Sequence, residues 1–159
     1  RFRVGTGRYR ACRCTVEGDY SSASYFFAIA GVCGGRVEVG NLPSRSVQGD
    51  RLFVDALERM GCRVSRHEDL VVLTSDRILA GIDIDMSSAP DTVQTLCVVA
   101  AFATTPSTIS GISHLKHKES DRLQAIRDTM GALGGRVSFR SDDVIVIHPA
   151  SLHGGRWRL

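Results

Sequence analysis

No apolar run in this sequence is long enough to cross a bilayer, and no charged start followed by an apolar core and a small-residue cleavage site marks a secretory signal. Charge of one sign is not in excess: twenty Lys and Arg against seventeen Asp and Glu leave +3, too little to point to nucleic acid. The basic stretches at the two ends (Arg1, Arg3, Arg8, Arg10, Arg13 and Arg156-Trp157-Arg158) read first as solvated surface, and secondly as neighbours of an anionic substrate. Five cysteines, an odd count, argue against a closed disulfide framework. Cys33, Cys62 and Cys97 sit in apolar stretches and read as small core residues, while Cys12 and Cys14 share one face of an expected strand. No second Cys or His pair follows them at ligand spacing, so no metal is expected; reduced thiols and a cytoplasmic setting are the reading. An initial Met is also missing, which fits a piece whose start lies upstream, although a processed chain would look the same.

What is present is an ordinary globular composition, 43% hydrophobic and 23% charged over 159 residues, enough for one domain or two small associated units. The chain also repeats itself at about 72 residues. Asp19-Tyr20-Ser21-Ser22 leads into the apolar run 23–33, and Asp91-Thr92-Val93-Gln94 into 95–103; short β-like stretches follow at 36–39 and 107–110. Asp50-Arg51-Leu52 then opens a segment with Phe53, Leu57 and Met60 at helical spacing, closed by Gly61. Asp121-Arg122-Leu123 opens its counterpart, with Ile126, Met130 and Leu133, closed by Gly134. Two strand-like runs end each copy, 63–66 and 70–74 in the first, 136–140 and 144–148 in the second, joined by polar turn residues. The order β-α-β-α-β-β, read as units of about 12–76 and 81–149, predicts an α/β fold of the α+β type. It has parallel pairing through crossovers and an antiparallel final strand. The helices starting at Ala23 and Asp91 are apolar nearly all round, which predicts burial on most sides.

Three stretches are more polar than their surroundings require. In 16–24, Asp19, Ser21 or Ser22 can cap a helix whose first amides lack partners, and such a start can receive an anion. In 83–91, Pro90 suits a first helical position and Asp91 the first turn, where the dipole favours a carboxylate. Asp83 and Asp85 share a strand face, but no phosphate-binding glycine loop accompanies them, which leaves magnesium without support. In 116–122, Lys118 and Arg122 are four apart and would face the same way on a helix, reaching one anion. Glu119 beside them is a candidate proton carrier whose acidity those cations set, against the alternative of a charged helix start with local ion pairs.

These stretches, Val-Glu-Gly-Asp-Tyr-Ser-Ser-Ala-Ser-Tyr-Phe-Phe over 16–27, Val-Gln-Gly-Asp over 47–50, Asp-Met-Ser-Ser-Ala-Pro-Asp over 85–91 and Lys-Glu-Ser-Asp-Arg over 118–122, resemble the 5-enolpyruvylshikimate-3-phosphate synthase family in order and spacing. The resemblance implies two tandem β-α-β-α-β-β units of the enolpyruvyl transferase fold, with buried helices and mixed sheets. They would be consecutive units of a C-terminal globe built from three, with the N-terminal half absent. It implies transfer of an enolpyruvyl group from phosphoenolpyruvate to the 5-hydroxyl of shikimate 3-phosphate by addition and elimination, with no metal or organic cofactor. Asp91 would contact the shikimate hydroxyls and help take the proton of the attacking oxygen. Lys118 would contact substrate, Glu119 would manage the proton at the methylene carbon, and Arg122 would clamp the phosphoenolpyruvate phosphate or carboxylate. His114 stands where some relatives carry an Asn that touches the shikimate phosphate; Lys116 and His117 receive no role.

The family's other contacts, a lysine and arginine and a Ser-Ser-Gln set in the N-terminal half and an arginine and lysine in the third unit, have no counterpart here. The expectation is therefore a half-site, inactive alone. The related UDP-N-acetylglucosamine enolpyruvyl transferases lack Lys-Glu-Ser-Asp-Arg and fit less well. A non-catalytic binding module that kept the fold is the reading of a different class. Open sheet edges and an uncovered apolar face predict self-association. No nucleic acid or membrane partner is expected.

Overall fold

Asp19 opens the first regular element: its carboxylate accepts from the amides of Ser21 and Ser22 at 3.0 and 3.1 Å, and helix α1 (Tyr20–Cys33) follows. A computed structural model describes residues 1–155, and the basic stretch at Arg156 and Arg158 lies outside the described residues. After α1 come β1 (Gly35–Gly40), a 3-10 turn (Gly49–Arg51) running into α2 (Leu52–Arg59), and the hairpin β2 (Arg63–Arg66) and β3 (Leu70–Ser75). The second half has β4 (Asp83–Asp85), a 3-10 turn (Pro90–Thr92) running into α3 (Val93–Ala101), and β5 (Ser107–Ser110). A further 3-10 turn (Ser113–His117) precedes α4 (Arg122–Ala132) and the hairpin β6 (Arg136–Ser141) and β7 (Val144–His148). Gly61 and Gly134, just past α2 and α4, have φ of +115° and +84°, a region that costs glycine nothing.

The fold is α/β, with helices packed on two sheets ordered β1-β3-β2 and β4-β5-β7-β6. In each, the closing strand of the hairpin lies between two others and is antiparallel to both, so β1 and β2 run parallel only across β3. The direct parallel pairing expected throughout occurs once among the described strands, between β4 and β5. The central position explains the sequences of the hairpin's last strands. Val71, Val72 and Leu73, and likewise Ile145, Val146 and Ile147, are buried on successive residues rather than alternate ones.

Three expectations are corrected. Residues 12–16 form no strand and are exposed, so Cys12 and Cys14 face solvent and β1 keeps one edge unpaired. Cys12, Cys14 and Val16 could share one strand face, but the two cysteines are small, and a short parallel pair has little else to hold it. Cys33 is exposed as the last residue of α1, whereas Cys62 and Cys97 are buried. Helix α1 is not buried on most sides: Ala23, Phe27 and Ala30 enter the core, but Tyr25, Phe26 and Ile29 are about 60% exposed. Together with Val98 and Phe102 of the α3 segment they leave apolar surface uncovered.

One core joins the halves. α1 lies on β1 and β3, α3 on β7, and the two helices touch. Phe27, Phe53, Leu57, Leu73, Leu96, Ile109 and Ile147 are all fully buried in a single cluster. The adjacent phenylalanines of α1 test this placement. Phe27→Ala should cost about 3–4 kcal/mol through the cavity it leaves, and Phe26→Ala within about 0.5 kcal/mol, measured by urea melts at low protein concentration. Similar losses for both would mean that α1 is turned differently.

Candidate active site

Pro90 begins the turn that carries Asp91, its missing amide proton costing nothing there, and Ala89 and Thr92 on either side are fully buried. Asp91 is thereby held at the protein surface just before α3. Arg122 is the first residue of α4, whose start is capped by Asp121 accepting from the Gln124 amide at 3.0 Å. Lys118 lies between the 3-10 turn and α4 in extended backbone. The reason given from the sequence for pairing Lys118 with Arg122, one helix face, therefore does not hold. They meet because the chain turns between them, and both reach the same carboxylate.

Arg122 Nη1 donates to Asp91 Oδ1 at 2.6 Å, and Lys118 Nζ stands 3.5 Å from the same oxygen. The other arm of Arg122 donates from Nη2 to Glu119 Oε2 at 3.2 Å. The Arg122 side chain is only 19% exposed, Asp91 is about half exposed, and Glu119 is 82% exposed. The hydrogen bond from Arg122 holds the Asp91 carboxyl below its ordinary range, with Lys118 adding to it and partial burial opposing. Asp91 in turn raises Arg122. Glu119 is lowered first by its own backbone amide and then by the charge of Arg122. His114, in the Ser113–His117 turn, is exposed; among the described residues no hydrogen bond or ion pair joins it to this cluster. Lys116 instead faces Asp142 at 3.5 Å.

A neighbouring carboxylate received no role from sequence reasoning. Asp50 accepts a hydrogen bond from Ser21 Oγ at the start of α1. Burial pushes Asp50 up, the Ser21 hydrogen bond opposes, the like charges of Asp91 and Asp19 add to the rise, and Lys118 draws it down. Its signal was the Val-Gln-Gly-Asp motif, which carried a resemblance but no chemistry. Among the described residues no group of His, Cys, Asp and Glu could hold a metal ion, and no helix is long and apolar enough to cross a membrane. Two fixed cations, a carboxylate between them and a second, solvent-facing carboxylate form an arrangement suited to orienting an anion and moving a proton beside it.

Comparison with known proteins shows the family of the chain. The fold is shared with enolpyruvyl transferases of known structure. An EPSP synthase from Acinetobacter baumannii superposes with a TM-score of 0.73 at 24% identity, over 84% of this chain and 32% of that one. The enolpyruvyl transferase NikO from Streptomyces tendae gives 0.65 at 19%, over 89% and 32%. The family model described as EPSP synthase (3-phosphoshikimate 1-carboxyvinyltransferase) matches residues 3–158, and the chain belongs to that family. It is 58% identical over 154 residues to the 3-phosphoshikimate 1-carboxyvinyltransferase of Methanosphaerula palustris, covering 97% of this chain and 36% of the relative. The chain thus spans about a third of the length of such relatives.

The depressed Asp91 sets a pH dependence. A carboxyl lowered in the folded state contributes its stability in full above the ordinary carboxylate pKa, and loses it as pH falls through the folded value. Asp91→Asn should destabilise the chain at neutral pH by about 0.5 kcal/mol, the worth of a half-exposed, solvent-screened pair. That difference should shrink below about pH 4. Urea melts of both proteins at neutral and acid pH measure this; a difference that does not change with pH would exclude the ion pair as its source.

Proposed function

We propose that this chain is two consecutive repeat units, about 12–76 and 81–149, of the C-terminal globe of an enolpyruvyl transferase. In this reading it supplies one wall of the site that joins phosphoenolpyruvate to shikimate 3-phosphate and releases phosphate. The observation that carries this reading is the Asp91 carboxylate shared by Arg122 and Lys118. It brings together two sequence motifs some thirty residues apart in a chain of this family. Asp91 contacts the shikimate hydroxyls and helps to accept the proton of the attacking oxygen. Arg122 holds the phosphate or carboxylate of phosphoenolpyruvate, where a planar fork matches a planar anion. Lys118 supplies a second fixed charge to substrate, and Glu119, largely exposed to solvent, moves the proton at the methylene carbon. His114, exposed beside the same loop, is the weakest member and would approach the shikimate phosphate. The chemistry asks for no metal or organic cofactor.

The test has two arms. Calorimetric titration of shikimate 3-phosphate into the chain, with and without phosphoenolpyruvate, should show weak or no binding and no phosphate release. Tight binding with release would mean that this chain builds a whole site, and would overturn the half-site reading. A chimaera in which residues 3–158 replace the matching stretch of the Methanosphaerula palustris protein should turn over. In it, Glu119→Gln should lower kcat by roughly 10²–10⁴. A chimaera that folds and binds both substrates, yet turns over equally well with Gln at 119, would remove Glu119 from the mechanism.

The uncovered face of Tyr25, Phe26, Ile29, Val98 and Phe102 carries no charged side chain among these five, and β1 has a free edge. In the isolated chain a second copy covers this face. Two such faces would bury on the order of 1,000 Å², near the lower bound for a specific interface. Light scattering should show mass rising with concentration over the micromolar range, and Phe26→Asp should suppress the rise. A monodisperse monomer throughout would count against the contact.

A further inference from the structure

Gln48, Gly49 and Asp50 stand at the 3-10 turn before α2, far in sequence from Asp91, and touch both helix starts. The Gln48 side chain makes three hydrogen bonds, all to one short stretch. Its Oε1 accepts from the Tyr20 amide at 2.9 Å, and its Nε2 donates to Glu17 Oε1 and to the Gly18 carbonyl, each at 2.8 Å. Ser46 Oγ donates to the same Glu17 oxygen at 2.8 Å, and Asp50 accepts from Ser21 Oγ. One side of the turn is therefore fastened to the start of α1.

The other side bears on the chain ahead of Asp91. A Cβ placed on Gly49 would lie 1.8 Å from the Ser88 carbonyl oxygen and 2.9 Å from its carbon, both backbone atoms that cannot swing away. Gly49 is not among the glycines with positive φ, so closeness rather than backbone conformation requires glycine here. From Ser88 the contact is passed on stiffly. The Ala89 amide bonds the Met86 carbonyl at 3.0 Å, and the Thr92 amide and hydroxyl bond the Ala89 carbonyl at 3.3 and 3.1 Å. Asp91 lies inside that run of turns.

We propose that the Gln48-Gly49-Asp50 turn is a positioning element that locks the start of α1 and bears on Ser88, and so holds the Asp91 carboxylate against Arg122 and Lys118. These are positioning residues, acting through Asp91. The relevance of the turn to catalysis rests on the function proposed above. The geometry does not, and it can be read without substrate.

The experiment is an NMR titration of the Asp91 side-chain carboxyl in the whole chain. The groups that face it are Arg122 from α4 and Lys118 from the loop, with Glu119 behind Arg122 and Asp50 across from the 3-10 turn. Gly49→Ala should raise the Asp91 midpoint toward the ordinary carboxylate range, because displacement weakens the contact that lowers it. Gly40→Ala, where an added Cβ meets nothing within 4 Å, should leave the midpoint where it is. A folded Gly49→Ala protein with an unchanged Asp91 midpoint would overturn the proposal. Should that variant fail to fold, Gln48→Ala, which adds no atom and removes three hydrogen bonds, decides in the same way: a raised midpoint supports the proposal and an unchanged one overturns it. A raised midpoint with undiminished turnover in the chimaera would leave the positioning standing and remove the catalytic reading of Asp91 instead.

Discussion

Helices α1 and α3 press on each other, one lying on β1 and β3 and the other on β7, and this contact makes one core out of two. A sheet of three short strands or of four is near the smallest that persists by itself. Each here buries a face against a helix that is in turn supported by the opposite half. The apolar character of α1 and α3 follows from that double duty. A helix that met only a sheet would carry a stripe; these must also meet each other.

The position of the charged cluster depends on the same contact. α1 also touches the turn that opens α3, so the polar residues that start the two helices are gathered at one end of the molecule. Asp19, Ser21 and Asp50 belong to one helix start, and Asp91 to the other; Lys118 and Arg122 arrive from the segment leading into α4. None of these groups is close in sequence to all the others. Their proximity follows from how the apolar helix bodies pack.

Much of this was legible in the sequence, for reasons that can be named. The strands 70–74, 107–110 and 144–148 were written in β-branched runs between polar turns, and the ends of α2 and α4 in Gly61 and Gly134. Phe53, Leu57, Met60, Ile126 and Met130 lay at the spacing that buries one helix face, and all five are buried. What local pattern does not encode is partnership. The insertion of β3 between β1 and β2 depends on which edges meet. Cys12 and Cys14 alternate as a strand would yet pair with no edge, and Tyr25, Phe26 and Ile29 read as core because nothing local distinguishes a covered face from an uncovered one. Lys118 and Arg122 do converge on one carboxylate, but through a bend in the chain rather than through helical spacing. Gln48 and Gly49 were noticed as a motif without a role, because their partners lie about thirty and forty residues away and only contact reveals them.

An anion that takes over the arm through which a guanidinium already holds a carboxylate displaces that carboxylate. Arg122 is in that position, with Asp91 as its resident counter-ion. An anion that bound there would exchange with a charge of the protein rather than with ions of the solution, and its attraction would be less sensitive to salt than that of an unpaired arginine. The exchange has a second effect. Once Arg122 turns away, Asp91 loses the interaction that most lowers its pKa and becomes the stronger base. Arrival of a negative group at one residue would in this way switch on proton affinity at its neighbour.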